Sequence, residues 1–392
     1  MKRQPFYRNF DRYAGIPLLA LLTIFLKRNR KLPSGNINKI LFVKLAAIGD
    51  TVLLIPALRT LKKAFPDSEL TFLCTPVNYS VVSKIPYVDK IINVNVHSFL
   101  KNILKFAAFL KELRSIHYDV SIDGGQWERM SALMAVLAKA KYYIGFRASK
   151  QHKHYIYDSS LYHDPDKHET ENFLDLLKPL GVKLTPEDKK LEYFLSENDY
   201  KFAEDFWSEN DLSGKKVVVF HPGCGIDGKA KEWDADNFVE LGRRLLKDDP
   251  ETRIVLTGSE IERYLTSYIA KNLGSSAIDI SGRSGVGEAI AILKKADTVV
   301  VPNTGILHMA ASVDANIIAL HGPSNTTKWG PSNEHSVVIQ SDKFCSPCTY
   351  LGSDYGCDEP TCMAHITVDD VYYAVRKVIS PKMFSGLNIV YN

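Results

Sequence analysis

With 392 residues the chain is longer than one hydrophobic core usually serves, so two domains are expected. Hydrophobic residues at 45% and charged residues at 24% argue against both a disordered chain and a polytopic membrane protein. The net charge of +4 is uneven: residues 1–31 hold eight Lys or Arg against Asp11 alone, while the remainder holds 41 basic and 44 acidic groups, which argues against a nucleic-acid-binding body.

Between the N-terminal basic clusters runs Tyr13 to Leu26 (YAGIPLLALLTIFL), shorter than the roughly 17–25 apolar residues that span a bilayer. Lys27, Arg28, Arg30 and Lys31 stand where a signal peptide would have its small-residue cleavage site, so the segment is expected to stay and to lie on an anionic membrane surface through residues 1–31. A helix packed on the body is the alternative. Residues 1–36 are thus a membrane-associating segment and linker, closed by Pro33-Ser34-Gly35-Asn36.

Lys39 to Leu45 (KILFVKL) is a short apolar run suited to a buried parallel strand. A helix over Thr51 to Phe65 ended by Pro66, strands at Leu70 to Cys74 and Lys90 to Val94, a helix over Phe99 to Ile116, a strand at Val120 to Ile122 and a helix over Trp127 to Ala140 follow. Gln151 to Pro165 lacks periodicity and is expected to be a mobile loop, before a helix over Glu169 to Leu180 that stops at Gly181. After a separator at Ser196 to Gly214, strands recur at Lys216 to Phe220, Arg253 to Thr257, Thr298 to Val301 and Asn316 to Leu320. The alternation predicts an α/β protein with parallel sheets, one domain over residues 37–200 and a second over 201–392.

Four segments at predicted strand ends, where open α/β sheets bind ligands, carry polar chemistry. In Leu45 to Thr51, Gly49 permits close backbone approach and Asp50 either points from the rim of the sheet or caps the next helix; spacing alone favours the cap. His221-Pro222-Gly223-Cys224-Gly225, followed by Lys229, Lys231, Glu232 and Trp233, suits a phosphate held by backbone N–H groups and lysines, or equally a plain surface loop. Thr257-Gly258-Ser259-Glu260 offers a carboxylate for ribose hydroxyls or an N-cap, and Asn303-Thr304-Gly305 with His308 brings a helix N-terminus toward an anion, His308 alone reading equally as a core residue.

Taken in order, KLAAIGDTVLLIPALRTLKKAFP, DVSIDGGQWERMSAL with the later YYIGF, HPGCG with KEW, LTGSE, and NTGILHMAAS with LHGPSN resemble glycosyltransferase family 9, the lipopolysaccharide heptosyltransferase family, over about residues 38–380. The resemblance implies a GT-B architecture of two Rossmann-like domains facing a central cleft, with acceptor bound by the first and nucleotide sugar by the second. It implies inverting, metal-independent transfer with Asp50 as general base and Gly49, Asp123 and Gln126 at the acceptor. It places His221, Gly223, Lys231 at the diphosphate, Glu260 at the ribose, and Asn303, Thr304, Gly305 and His308 at the donor. The family usually has Asp where Asn303 stands, so the donor base and sugar are less defined than the class.

The expected donor is a nucleotide sugar, ADP-heptose first, and the expected acceptor is a lipid-linked saccharide such as lipopolysaccharide core, at the cytoplasmic face of the inner membrane. A nucleotide-sugar epimerase or hydrolase of the same fold, or a non-catalytic membrane-associated sugar-binding protein, stays open. Cys345, Cys348, Cys357 and Cys362 crowd the loop 345–362 near structural-zinc spacing, with His365 as a substitute ligand, and free thiols are the alternative. Catalysis would need no such metal.

Overall fold

The computed structural model describes Asp11 and residues 15–25, 31–99, 102–149, 151–226, 228–349, 357 and 361–380. In chain order the elements are α1 (Gly15–Phe25), β1 (Lys39–Val43), α2 (Ile48–Ala64), β2 (Glu69–Cys74), β3 (Lys90–Asn93), α3 (Ile103–Ser115), β4 (Val120–Asp123), α4 (Arg129–Leu137), β5 (Tyr142–Arg147), β6 (Ser159–Tyr162) and α5 (Glu169–Asp175). They continue with α6 (Glu197–Glu209), β7 (Val217–Phe220), α7 (Ala235–Asp248), β8 (Arg253–Leu256), α8 (Arg263–Leu273), β9 (Ala277–Asp279), α9 (Val286–Lys295), β10 (Thr298–Pro302), α10 (Gly305–Ser312), β11 (Ile317–His321), β12 (Ser336–Gln340) and α11 (Val368–Ile379), with single turns of helix between them.

Two compact units result, Met1–Lys190 and Leu191–Asn392, so the division comes before the boundary expected at residue 200. The cause is local. The stretch read as a separator contains α6, started by a Ser196–Asp199 capping box and packed on α9 through its apolar side. The first unit carries a six-stranded sheet ordered β3-β2-β1-β4-β5-β6 and the second one ordered β12-β11-β10-β7-β8-β9, with all pairings parallel. Each order reverses once, at β1/β4 and at β7/β10, and a doubly wound sheet binds its ligand beyond the carboxyl ends of the strands at such a reversal. This pair of Rossmann-like sheets with helices is the GT-B class of fold.

The central strands are apolar on both faces because helices cover both. Ile40 to Val43, Val217 to Phe220 and Val299 to Val301 are all inaccessible to solvent or nearly so. Leu41, Val43 and Leu73 pack with Ala132, Met134 and Ala135 of α4 in one core; Phe220, Phe238, Leu256, Val300 and Val371 form another. Residues 151–165, expected to be a mobile loop, instead contain a helical turn at Lys153–Ile156 and the edge strand β6, which pairs with β5 from Ile144↔Ser159 onward. Strand β6 is half-polar and short, as an edge strand is, so it gave no apolar run to read.

Helix α1 docks on the first unit: Leu19 is 3% exposed in the core beside α4, and Gly15 lies so close that a Cβ there would meet Arg129 Cδ at 2.9 Å. Asp11 supplies the cap that α4 lacks, since Glu128 makes no side-chain cap bond and Asp11 Oδ1 accepts from the N–H groups of Arg129 (2.9 Å) and Met130 (3.1 Å). Asp11 Oδ2 also lies 3.3 Å from Arg129 Nη1. Pro17, Ala20 and Leu21 on the helix remain exposed. Among the described residues no helix is long and apolar enough to cross a membrane.

Candidate active site

At the β1/β4 reversal a cluster of buried charges forms. Helix α2 starts at Ile48, earlier than expected, with Ala47 as its N-cap and no side-chain cap bond, so Asp50 falls within the first turn and does not cap. Its carboxylate turns toward the sheet: Oδ2 accepts from Lys44 Nζ at 3.0 Å and from Gln126 Nε2 at 3.2 Å. Lys44, the residue after β1, is fully buried, while the Asp50 side chain keeps 12% of its surface exposed. Among the described residues Asp50 Oδ1 receives no hydrogen bond from the protein. The arrangement therefore leaves one carboxylate oxygen anchored and the other available to an incoming hydroxyl.

Lys44 also donates to Gln126 Oε1, and its Nζ sits 5.6 Å from the ring centroids of both Trp127 and Phe173. Burial opposes its charge, but the carboxylates of Asp50, Glu128 and Glu169 outweigh that cost and hold its pKa above the ordinary lysine value. Gln126 Nε2 donates in addition to Glu169 Oε1 at 3.0 Å, and His163 Nε2 lies 2.9 and 3.1 Å from the two Glu169 oxygens. Glu169 is the first residue of α5, where the helix dipole favours an anion. Glu128 faces the same cluster with its Oε2 buried and unpaired, and burial raises its pKa despite Lys44 and Lys153.

Asp123 and Gln126, expected at the acceptor, present no surface to solvent. Asp123 accepts from Gly125 N at 2.8 Å and from Tyr157 Oη at 2.5 Å and pairs with Lys153 Nζ at 3.0 Å, because a carboxylate at the end of a central strand must find donors inside the domain. Gly49 is buried behind the accessible Ala46-Ala47-Ile48 segment. Lys44, Glu169 and His163 escaped the sequence reading. The one signal for Lys44 was a lysine inside an apolar run, which demands a buried counter-charge.

At the β7/β10 reversal, His221 follows β7, its N–H bonded to Val300 O (3.0 Å) and its Nδ1 3.0 Å from Thr257 Oγ1. The acid that reaches this loop is Glu262 and not Glu260. Glu262 Oε1 accepts from Gly225 N at 2.8 Å and Oε2 from Ser259 N (2.8 Å) and Oγ (2.6 Å), while the Glu260 side chain is 69% exposed and faces Arg263 at 3.5 Å. The alternation of a capped single turn decides this, since it turns position 260 outward and position 262 back under the loop. Burial pushes the Glu262 carboxyl up, yet the bonds from Ser259 and Gly225 and the nearby His221 bring it below the usual range. A Cβ at Gly223 would lie 2.3 Å from the Glu262 carboxyl, so a larger residue there would have to displace that side chain from its bonds.

Lys231 ends the helical turn Lys229–Lys231 and is half-buried. Across the reversal Asn303 Nδ2 donates to Trp329 O at 2.9 Å, Thr304 caps α10 with its Oγ1 buried and unbonded, and Gly305 is the first helical residue. His308, on the same helix, is 4% exposed with its ring 6.4 Å from that of Trp329. Buried His321 at the end of β11 is pushed down to about 4, first by burial, with Lys231 adding to it. N–H groups at a helix start, a lysine and an unsatisfied hydroxyl form an arrangement that can hold a phosphate.

Cys345 and Cys357 are exposed, Cys348 is half-buried and Cys362 is buried against Gly322, and among the described residues no group of three or more His, Cys, Asp or Glu side chains is placed to hold a metal. The turn at Cys362–His365 buries the Cys362 thiol, and burial raises its pKa, with the nearby Cys348 and Cys357 adding to the shift.

Residues 106–357 match glycosyltransferase family 9 (heptosyltransferase). The chain is 22% identical over 301 residues to lipopolysaccharide core heptosyltransferase OpsX of Haemophilus influenzae, covering 76% of this chain and 82% of that protein. Among solved structures it resembles the family 9 glycosyl transferase of Veillonella parvula (TM-score 0.75, 19% identity, 89% and 99% of the two chains covered). It also resembles E. coli heptosyltransferase WaaC with ADP-2-deoxy-2-fluoro heptose (TM-score 0.64, 20% identity, 86% and 99% covered).

Proposed function

The chain belongs to glycosyltransferase family 9, and from that premise we propose that it transfers heptose from ADP-heptose to a lipid-linked saccharide such as a lipopolysaccharide core. The observation that carries the chemistry is the Asp50 carboxylate, anchored through Oδ2 by Lys44 and Gln126 with Oδ1 unengaged. An acceptor hydroxyl attacks the anomeric carbon of the donor and gives its proton to Asp50 Oδ1. A carbon–oxygen bond to the acceptor forms as the bond to the diphosphate breaks from the opposite face, so the configuration inverts. The departing charge is met by Lys231, by the N–H groups that open α10 and by the His221 to Gly225 loop, and this reading routes no step through a metal. ADP-heptose as donor is supported by the WaaC complex and by the heptosyltransferase relatives.

The decisive assay measures nucleotide release from a panel of nucleotide sugars with and without lipid-linked saccharide. Release from ADP-heptose alone among the donors, dependent on acceptor and yielding an inverted linkage, is expected. Equal release without acceptor would point to a hydrolase or epimerase and end the transferase reading. Lys231→Ala should raise the donor KM by about 10- to 100-fold, the loss of one charge-assisted contact to a diphosphate; an unchanged KM would remove Lys231 from the donor site.

We further propose that residues 1–31 bring the enzyme to the cytoplasmic face of an anionic membrane, supported by their eight basic residues and the outward Pro17, Ala20 and Leu21. Deleting them should weaken sedimentation with anionic vesicles. Because α1 also buries Leu19 and Asp11 caps α4, the same deletion should cost roughly 2 kcal/mol of stability. Thermal denaturation of the two proteins reads the second effect and vesicle sedimentation the first; equal vesicle binding would defeat the membrane role.

A further inference from the structure

Gln126 is a buried amide set among buried ionisable side chains. Around Asp50 stand Lys44 from the end of β1, Gln126 after β4, Glu169 at the start of α5 and His163 after β6, with Glu128, before α4, acting on Lys44. Asp123 and Lys153 pair with each other nearby, and Lys153 also acts on Glu128. Asp50 and Glu169 would be two carboxylates competing for one lysine. Between them lies the amide of Gln126, whose NH2 group donates to Asp50 Oδ2 at 3.2 Å and to Glu169 Oε1 at 3.0 Å while its carbonyl oxygen accepts from Lys44. The opposite amide orientation would set the carbonyl oxygen against two carboxylates and the NH2 group against an ammonium, so the neighbours leave Gln126 one orientation.

We propose that Gln126 is a positioning residue for the transfer: its amide bridges the Asp50 and Glu169 carboxylates and, with Lys44, anchors Asp50 by Oδ2 so that Oδ1 faces the acceptor hydroxyl. The inference rests on Asp50 as the base and reassigns Gln126 from acceptor contact to support of that base. It follows from burial, because Gln126 has no exposed surface and its side chain bonds to Lys44, Asp50 and Glu169. The His163–Glu169 pair is the fixed end of the bridge, locked by the 2.9 and 3.1 Å contacts to both Glu169 oxygens.

The test is the pH profile of kcat/KM for the full-length enzyme with donor and lipid-linked acceptor. Gln126→Met keeps the length and removes both donors, leaving two buried carboxylates to repel. Its acid limb should move up by about one pH unit and its kcat at neutral pH should fall about 10- to 100-fold, with the donor KM within a few fold of wild type. Gln126→Met/Glu169→Gln removes the second carboxylate, so the limb should return toward wild type, an outcome that mere loss of packing would not produce. Should Gln126→Met not fold, Gln126→Asn, which keeps the amide but falls short of both carboxylates, gives the same readout with a smaller shift. An unmoved limb in a folded Gln126 variant would overturn the positioning role, provided Asp50→Asn is inactive in the same assay. An active Asp50→Asn would instead overturn the base assignment and the inference with it.

Discussion

Asp50→Asn should fold, bind donor with near wild-type affinity and turn over about 10²- to 10⁴-fold more slowly, the range a positioned general base contributes. The variant keeps the shape of the side chain, but its one amide oxygen is held by the Lys44 and Gln126 donors, so the NH2 group takes the place of Oδ1 and can neither accept from a hydroxyl nor take its proton. It also trades one acceptor facing Lys44 and Gln126 for a neutral amide, so a modest change in stability is expected. Capping does not confound the result, since Ala47 occupies the cap position and Asp50 makes no cap bond. Single-turnover measurement of sugar transfer isolates the chemical step. A rate within a few fold of wild type in that measurement would remove Asp50 from the mechanism.

Lys44→Met should be the most destabilising single substitution in the first unit, at about 3–5 kcal/mol, because it deletes the counter-charge of a buried group while leaving the carboxylates in place. For a unit of this size that corresponds to a melting temperature lower by roughly 10 °C. Its pH dependence has a definite sign. Without the ammonium, the carboxylates of Asp50, Glu128 and Glu169 are harder to ionise in the folded state than in the unfolded chain. The folded state then binds more protons, and stability must fall as pH rises through the carboxylate range and recover as pH is lowered toward 5. Lys44→Met/Glu128→Gln should regain part of the loss, since Glu128 is already driven toward its protonated form by burial. Denaturant midpoints at pH 5 and pH 7.5 check this, and a variant equally stable at both would show that Lys44 does not balance these carboxylates.

The Asp50 carboxylate is held by Lys44 at a strand end and, through Gln126, is tied to Glu169 at a helix start. Position 303 joins the donor-site helix to the Trp329 carbonyl by a bond in which the side chain donates. An ionised Asp could not make that bond, and the Asn here is therefore matched to its own loop.

The sequence alone determined the elements whose signal is local. Apolar runs such as KILFVKL and KVVVF mark strands covered on both faces, with glycines and polar residues after them at the strand ends, so the two parallel sheets and the family were legible. Edge strand β6 and helix α6 were not, because a short half-polar strand and an isolated capped helix resemble loop in composition. Which acid reaches the donor loop depended on the single turn that faces Glu262 inward and Glu260 out. Only the order of strands in the sheet brings residues 44, 50, 126, 163 and 169 together, and only that meeting turns a lysine in an apolar run into the partner of a carboxylate. Gln126 becomes a bridge in the same way, and Asp11 a cap for a helix more than a hundred residues away. Pair interactions between distant residues leave no trace in composition or periodicity, since their partners are chosen by topology.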